Sequence, residues 1–138
     1  MALPLTSQQR TLVKRTFTHI APNHDIVAHL FYDKLFEIAP ELRPMFTHSM
    51  DMQRAKVMHM LAALVAAMDD PSHFSRIARD LGKRHVDYGV IRDQYALVGQ
   101  ALMWALEEAC PDVMNTAVLD AWKAAYAMMA DAATGVYE

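Results

Sequence analysis

Apolar residues return every three or four positions through almost the whole of this chain, and strict alternation is absent. That spacing stacks side chains on one face of an α-helix and gives no consistent face to a strand. Glycine and proline, four and six residues in all, fall at wide intervals and act as punctuation between periodic stretches. Such a chain buries its apolar surface by laying helix against helix, so an all-α architecture is expected.

The punctuation divides the chain into seven helical segments. The first starts at Thr6 or Ser7, where Thr6 and Gln9 can form a capping box, and runs to Ile20. Pro22 and Asn23 open a second that reaches Ile38. A short third begins at Pro40, a residue suited to a first helical turn, and ends near Phe46, before a loop over Thr47–Asp51. The fourth spans Met52–Met68 and is broken by Asp69, Asp70 and Pro71. The fifth spans Phe74–Asp87 and stops at Gly89; the sixth runs from Arg92 to Ala109, before Pro111. The last covers Met114–Thr134, with Gly135 as its stop. Inward faces follow directly: Gln53, Val57, Leu61, Leu64 and Met68 on the fourth helix; Tyr95, Val98, Leu102 and Ala105 or Leu106 on the sixth; Leu119, Trp122, Tyr126, Met129 and Ala133 on the last. With short linkers and no internal repeat, residues 1–138 are expected to form one domain.

Composition narrows the function classes. Charged residues recur throughout, so no apolar run is long enough to span a bilayer. The N-terminal segment lacks the basic flank and long apolar run of a signal peptide, and a cytoplasmic protein is expected. The single cysteine, Cys110, excludes an internal disulfide and a cysteine-rich metal site. A net charge of −3 without a basic run removes the footprint of a nucleic-acid binder. Methionine is frequent, at eleven residues, and is useful where helices pack around an irregular object.

Among seven histidines, His85 stands apart. It closes the apolar stripe Phe74, Ile77, Leu81, His85, and Tyr95 opens the inward face of the next helix ten residues later. An imidazole on a buried face beside a phenol is what a haem iron needs on its proximal side. By spacing alone, iron ligation competes with a structural hydrogen bond from the ring to a neighbouring carbonyl. Zinc is disfavoured, since no second histidine or carboxylate shares the face. His19, His24, His29, His48, His59 and His73 follow no ligand spacing with it.

Longer strings carry a resemblance. The segment from Leu81 to Val90 (LGKRHVDYGV), followed by Tyr95-Ala96-Leu97-Val98-Gly99, resembles the proximal region of bacterial globins. Upstream, Phe31-Tyr32-Asp33-Lys34-Leu35-Phe36, then Pro40, then Met45-Phe46, resembles the second helix, proline and haem-stacking phenylalanine of that family. Asp120-Ala121-Trp122-Lys123-Ala124-Ala125-Tyr126 is similar to the closing helix of single-domain bacterial haemoglobins and of flavohaemoglobin globin domains. The resemblance extends over essentially the whole chain in one register.

It implies a globin fold around one haem b, held without covalent attachment, with a short or absent helix between the third and fourth. His85 matches the proximal iron ligand and Phe46 the ring that wedges against the haem. Tyr32 and Gln53 match a distal pair used in place of a distal histidine, and Tyr95 matches the phenol behind the proximal histidine. Val57, Leu61, Leu81, Val90, Val98, Leu102 and Tyr126 are expected to form apolar walls; Lys56 and Arg84, one position off the inward face, either reach the propionates at the rim or are solvated surface charges. On their own, Tyr32 could be a core tyrosine bonded to a carbonyl and Gln53 a solvated first-turn residue. The pattern also departs from the family: Tyr137 stands where a glutamate would support the tyrosine and histidine, with Glu138 last. Loss of that carboxylate leaves a less electron-rich imidazole and favours a binder over a catalyst.

The expected function is reversible binding of dioxygen, and of NO and CO, for transport or storage. Nitric-oxide dioxygenation is the enzymatic alternative, and it needs a separate reductase because no flavin or nicotinamide module follows the last helix. Haem-based sensing is a third, weaker reading. His48, His59, Lys56 and Tyr32 are candidates for a sixth iron ligand in the absence of gas, and tyrosine ligation of ferric iron stays open. A monomer or homodimer fits equally well.

Overall fold

A computed structural model describes residues 5–47 and 49–135. Among them are six α-helices and no strand: α1 (Ser7–Ile20), α2 (His24–Ile38), α3 (Met50–Ala66), α4 (Pro71–Asp87), α5 (Gln94–Ala109) and α6 (Thr116–Thr134). A single 3-10 turn (Ala21–Asn23) joins α1 to α2, and a six-residue 3-10 segment (Pro40–Met45) replaces the short third helix of the sequence reading. None of these helices is long and apolar enough to cross a membrane.

The helix ends show which local signals decided. The expected capping box is present: Gln9 N–H donates to Thr6 Oγ1 and Thr6 N–H to Gln9 Oε1, both at 3.0 Å. α4 starts three residues earlier than expected, because the Asp70 carboxylate accepts from His73 N–H and Pro71 fits the first turn. α3 likewise starts at Met50, two residues early, and ends at Ala66. α5 and α6 start two residues late, and α6 begins where the Asn115 side chain accepts from Val118 N–H.

The apolar faces gather into two clusters. One joins α1, α3, α4, α5 and α6 around Val13, Ile20, Leu64, Phe74, Leu106 and Trp122. Within it the Trp122 indole donates to Thr16 Oγ1 at 2.9 Å, satisfying a buried N–H. The other joins α2, the 3-10 segment and α5 around Phe31, Tyr32, Leu35, Leu42, Ala101 and Ala105. Val57 and Leu102 pack against both, so a seam runs between the clusters. Tyr32, Phe46 and Val98 belong to or pack against the second cluster, and Leu61, Leu81, Val90, Tyr95 and Tyr126 belong to or pack against the first.

Candidate functional site

The histidine side of the seam is built by a helix ending. Gly89 adopts φ +89°, a left-handed conformation that costs a Cβ-bearing residue roughly 1–2 kcal/mol. It reverses the chain so that Val90 N–H donates to the His85 carbonyl at 2.9 Å and Gly89 N–H to the Val86 carbonyl at 3.0 Å. This is a Schellman ending with His85 one turn before the stop. His85 Nδ1 lies 2.7 Å from the Leu81 carbonyl oxygen. A carbonyl can only accept, so Nδ1 carries the proton and Nε2 keeps its lone pair. Burial lowers the pKa of His85, opposed by the Leu81 hydrogen bond and assisted by the Arg84 charge, so the ring is held neutral.

Two phenols flank this end. The Tyr95 ring lies 6.0 Å from the His85 ring, centroid to centroid, and Tyr88 lies 6.3 Å away. The Tyr126 ring packs against Gly99 and its hydroxyl donates to the Tyr95 carbonyl at 2.6 Å. A Cβ at position 99 would sit 2.6 Å from that ring, so Gly99 is what lets α5 and α6 approach here. The sequence pattern marks Tyr126 as inward-facing; the structure gives it the task of fixing the backbone under Tyr95.

On the opposite side, Tyr32 is buried, at 4 % exposure, within a group of rings. Phe31 lies 4.8 Å from it, Phe46 5.5 Å and Phe36 5.8 Å between centroids, with Phe36 and Phe46 5.4 Å apart. Gln53 reaches from the first turn of α3 and its amide N–H donates to Tyr32 Oη at 3.2 Å. Burial pushes the Tyr32 pKa up to about 12, with the Gln53 bond pulling the other way. The hydroxyl therefore keeps its proton at neutral pH, and an accepted hydrogen bond polarises it as a donor.

Between the two sides the walls are Val57, Leu61, Val90, Val98 and Leu102, all half-buried although they lie on inward faces, with Leu81 fully buried behind them. A cleft of about 520 Å³ opens beside α3 and the end of α4, lined by Met52, Ala55, Lys56, His59, Met60, Ala63, Arg84 and Tyr88. Lys56 and Arg84 line it, whereas His85 and Tyr32 do not. Lys56 and Arg84 are both exposed there, as rim residues facing carboxylates would be.

This set of groups fits a haem: one neutral imidazole with a free Nε2, apolar walls, an aromatic wedge, cations at the rim and a protonated phenol opposite. Tyr32, Gln53 and Phe46 are in mutual reach on one side and His85 and Tyr95 on the other. The Leu81 carbonyl as partner of His85 is the structural alternative raised by spacing, and it leaves ligation possible because it occupies the other nitrogen. Phe36, the third ring beside Tyr32 and Phe46, escaped notice as a pocket residue, though its place one residue after Leu35 puts it near the same face. Met52, Met60 and Tyr88 in the cleft were also missed, and no spacing signal marks them. His48, Tyr137 and Glu138 lie outside the described residues.

The chain is similar in sequence and fold to known proteins. The Globin family model matches residues 29–133. The Bordetella pertussis flavohemoprotein is 32 % identical over 135 residues, covering 95 % of this chain and 33 % of its own length. The Deinococcus radiodurans flavohemoprotein is 31 % identical over 136 residues, covering 96 % and 34 %. The chain thus spans about a third of these relatives. Among solved structures, a bacterial globin from Campylobacter jejuni superposes with TM-score 0.82 at 22 % identity, covering 96 % of this chain and 99 % of that one. An engineered carbene transferase, made from a Rhodothermus marinus protein regarded as a nitric oxide dioxygenase, superposes at 0.83 with 29 % identity and 96 % coverage of both chains. The helix order, the two-sided seam and a family match over most of its length together place this chain in the globin family.

Proposed function

We propose that this chain, as one globin unit of the cytoplasm, holds one haem b through His85 Nε2 and binds dioxygen, NO and CO reversibly. Haem, when bound, supplies the iron to which a diatomic gas coordinates. His85 serves as a neutral ligand fixed in orientation by the Leu81 carbonyl. Phe46 wedges the macrocycle and the half-buried apolar walls exclude water. Lys56 and Arg84 face the propionates at the rim.

The observation that carries the reading is the Tyr32–Gln53 pair. Gln53 donates to Tyr32 Oη at 3.2 Å, leaving the phenolic proton to donate into the seam. A diatomic ligand that gains negative charge on binding is stabilised by such a donor, at about 1.5–3 kcal/mol, or about one to two decades in release rate. Tyr32→Phe should therefore speed oxygen release by about an order of magnitude or more in a stopped-flow displacement with CO. An unchanged release rate removes Tyr32 from this role.

Nitric-oxide dioxygenation is the second reading, favoured by the flavohemoprotein relatives and the Rhodothermus marinus neighbour. It requires repeated re-reduction of ferric iron by an electron donor. Sustained NADH-driven NO consumption with a catalytic amount of reductase supports the enzyme; consumption that stops at one NO per haem supports the binder. Among the described residues His85 bonds a neutral carbonyl and no carboxylate, and a carboxylate-supported imidazole is the feature that drives O–O chemistry, so the binder is preferred.

A further inference from the structure

Phe46 lies between helices, not within one. It follows the 3-10 segment with an extended backbone (φ −96°, ψ 92°), and its N–H donates to the Arg43 carbonyl at 3.2 Å. The next helix, α3, begins only at Met50. A residue in such a stretch lacks the ladder of bonds that fixes a helical backbone, so its ring is placed by what it packs against. Two rings on consecutive turns of α2 meet it. Tyr32 lies at 5.5 Å with the planes 77° apart, and Phe36 at 5.4 Å with the planes 67° apart. Both contacts are edge-to-face, an arrangement that aromatic pairs prefer.

Tyr32 and Phe36 stand four residues apart on one face of α2, 5.8 Å between centroids and 32° between planes. The three rings therefore close a triangle. Two corners already have tasks in the proposed function: Phe46 wedges the macrocycle and Tyr32 donates to the gas. Phe36, the third corner, packs on both. Phe31 also meets Tyr32, at 4.8 Å, but it is a core ring at 4 % exposure, whereas Phe36 is only half-buried. The Arg43 guanidinium lies over the Phe36 ring, 5.3 Å from its centroid. Arg43 makes no ion pair among the described residues, so its charge is left for the ring face. One residue thus grips both phenylalanines: the Arg43 carbonyl accepts from Phe46 N–H, and its guanidinium covers Phe36.

We propose that Phe36, clamped by Arg43, is a positioning residue for the distal side: it sets the tilt of the Phe46 wedge and the direction in which the Tyr32 hydroxyl donates. The proposal rests on the haem reading above and adds to it a residue that acts through two others. Because Phe36 acts on gas release through Tyr32, changes at the two positions should not add.

The test compares Phe36→Leu, which keeps an apolar side chain without the ring, with Phe36→Tyr, which keeps the ring. In the haem-loaded protein with CO bound, the infrared C–O stretch reports the hydrogen bond from Tyr32. Phe36→Leu should shift or split that band toward its position in Tyr32→Phe, and Phe36→Tyr should keep it at the parent position. Arg43→Gln should shift it the same way by less. Oxygen release should speed about threefold to tenfold in Phe36→Leu, less than in Tyr32→Phe, because the hydroxyl is misdirected and not removed. In a Tyr32→Phe background, Phe36→Leu should leave the release rate unaltered. A parent-like band and rate in Phe36→Leu overturn the proposal. So does full additivity of the two substitutions, the mark of a merely structural loss, and an unmoved band in Arg43→Gln overturns the clamp. The haem-free protein supplies an independent reading. With fluorotyrosine incorporated, the Tyr32 fluorine resonance, identified by its loss in Tyr32→Phe, should be sharp in the parent and in Phe36→Tyr and broadened or doubled in Phe36→Leu. An equally sharp single line in Phe36→Leu overturns the proposal. Failure of the parent to take up haem, with that difference present, counts against the proposed function alone.

Discussion

At Tyr32 a single hydroxyl is asked to remain a proton donor inside an apolar group of rings. Burial holds its pKa up to about 12, so the proton stays on through the range in which an ordinary phenol, near 10, begins to lose it. Oxygen release should therefore be flat from about pH 7 to about pH 10. A release rate that climbs with a midpoint near 10 would mean that the hydroxyl is solvated. His85 shifts in the opposite sense. Burial holds its folded pKa below the ordinary 6.5, so the unfolded chain takes up a proton first as pH falls. The stability of the haem-free protein should be unaffected by this group above about pH 6.5 and should decline as the pH falls through the lower folded value. Urea midpoints measured against pH should show that decline lessened in His85→Phe. The electronic character of His85 has its own check. A neutral carbonyl partner predicts a resonance Raman iron–histidine stretch below the peroxidase range, and a frequency as high as that of peroxidases would contradict it. Of these properties the sequence showed only the residue types. Which nitrogen of His85 is bonded, and by what, depends on where α4 ends.

The helices set those positions, and two glycines do so most directly. Gly82 lies so close to α6 that a Cβ there would stand 2.1 Å from the Ala133 carbonyl oxygen. Gly82→Ala must push α4 off α6, at a cost of roughly 1–3 kcal/mol typical of overpacking. Since His85 is one turn away, the same change should speed haem loss. Gly89→Ala meets no neighbour but must hold a positive φ, at roughly 1–2 kcal/mol. Thermal unfolding and haem transfer to an acceptor globin would measure both, and unaltered values for Gly82→Ala would refute the close approach. Helix identity was readable except over Pro40–Met45, where the expected short helix is a 3-10 segment; elsewhere the 3.6-residue period and the wide-set Gly and Pro leave little else to form. Boundaries were readable where the capping chemistry was recognised, as at Thr6 and Gln9. They slipped at α4, where Asp70 reads as a helix breaker but acts as the cap. Gly82 was invisible as a contact, since an isolated glycine within a helical pattern does not announce which neighbour it admits.

Across the described residues, two apolar clusters meet at a seam instead of merging, and Tyr95 belongs to one and Tyr32 to the other. The periodic faces implied a core, but they could not distinguish wall from filling, because a cofactor pocket is lined by the same residues as a core. What separates them is exposure: Val57, Leu61, Val98 and Leu102 are half-buried where their spacing calls for full burial. The sequence contains no basic run, since Asp80 and Asp87 interrupt the α4 cations, and in the fold both remain exposed on that helix beside Arg76, Arg79, Lys83 and Arg84. The central claim is that the seam receives a haem on His85, and an absorption spectrum of the purified protein after haem addition tests it most directly. The account predicts a Soret band that shifts on reduction and again with CO, and that is lost or grossly altered in His85→Leu. No Soret band in the parent protein, or identical spectra for parent and His85→Leu, would contradict it.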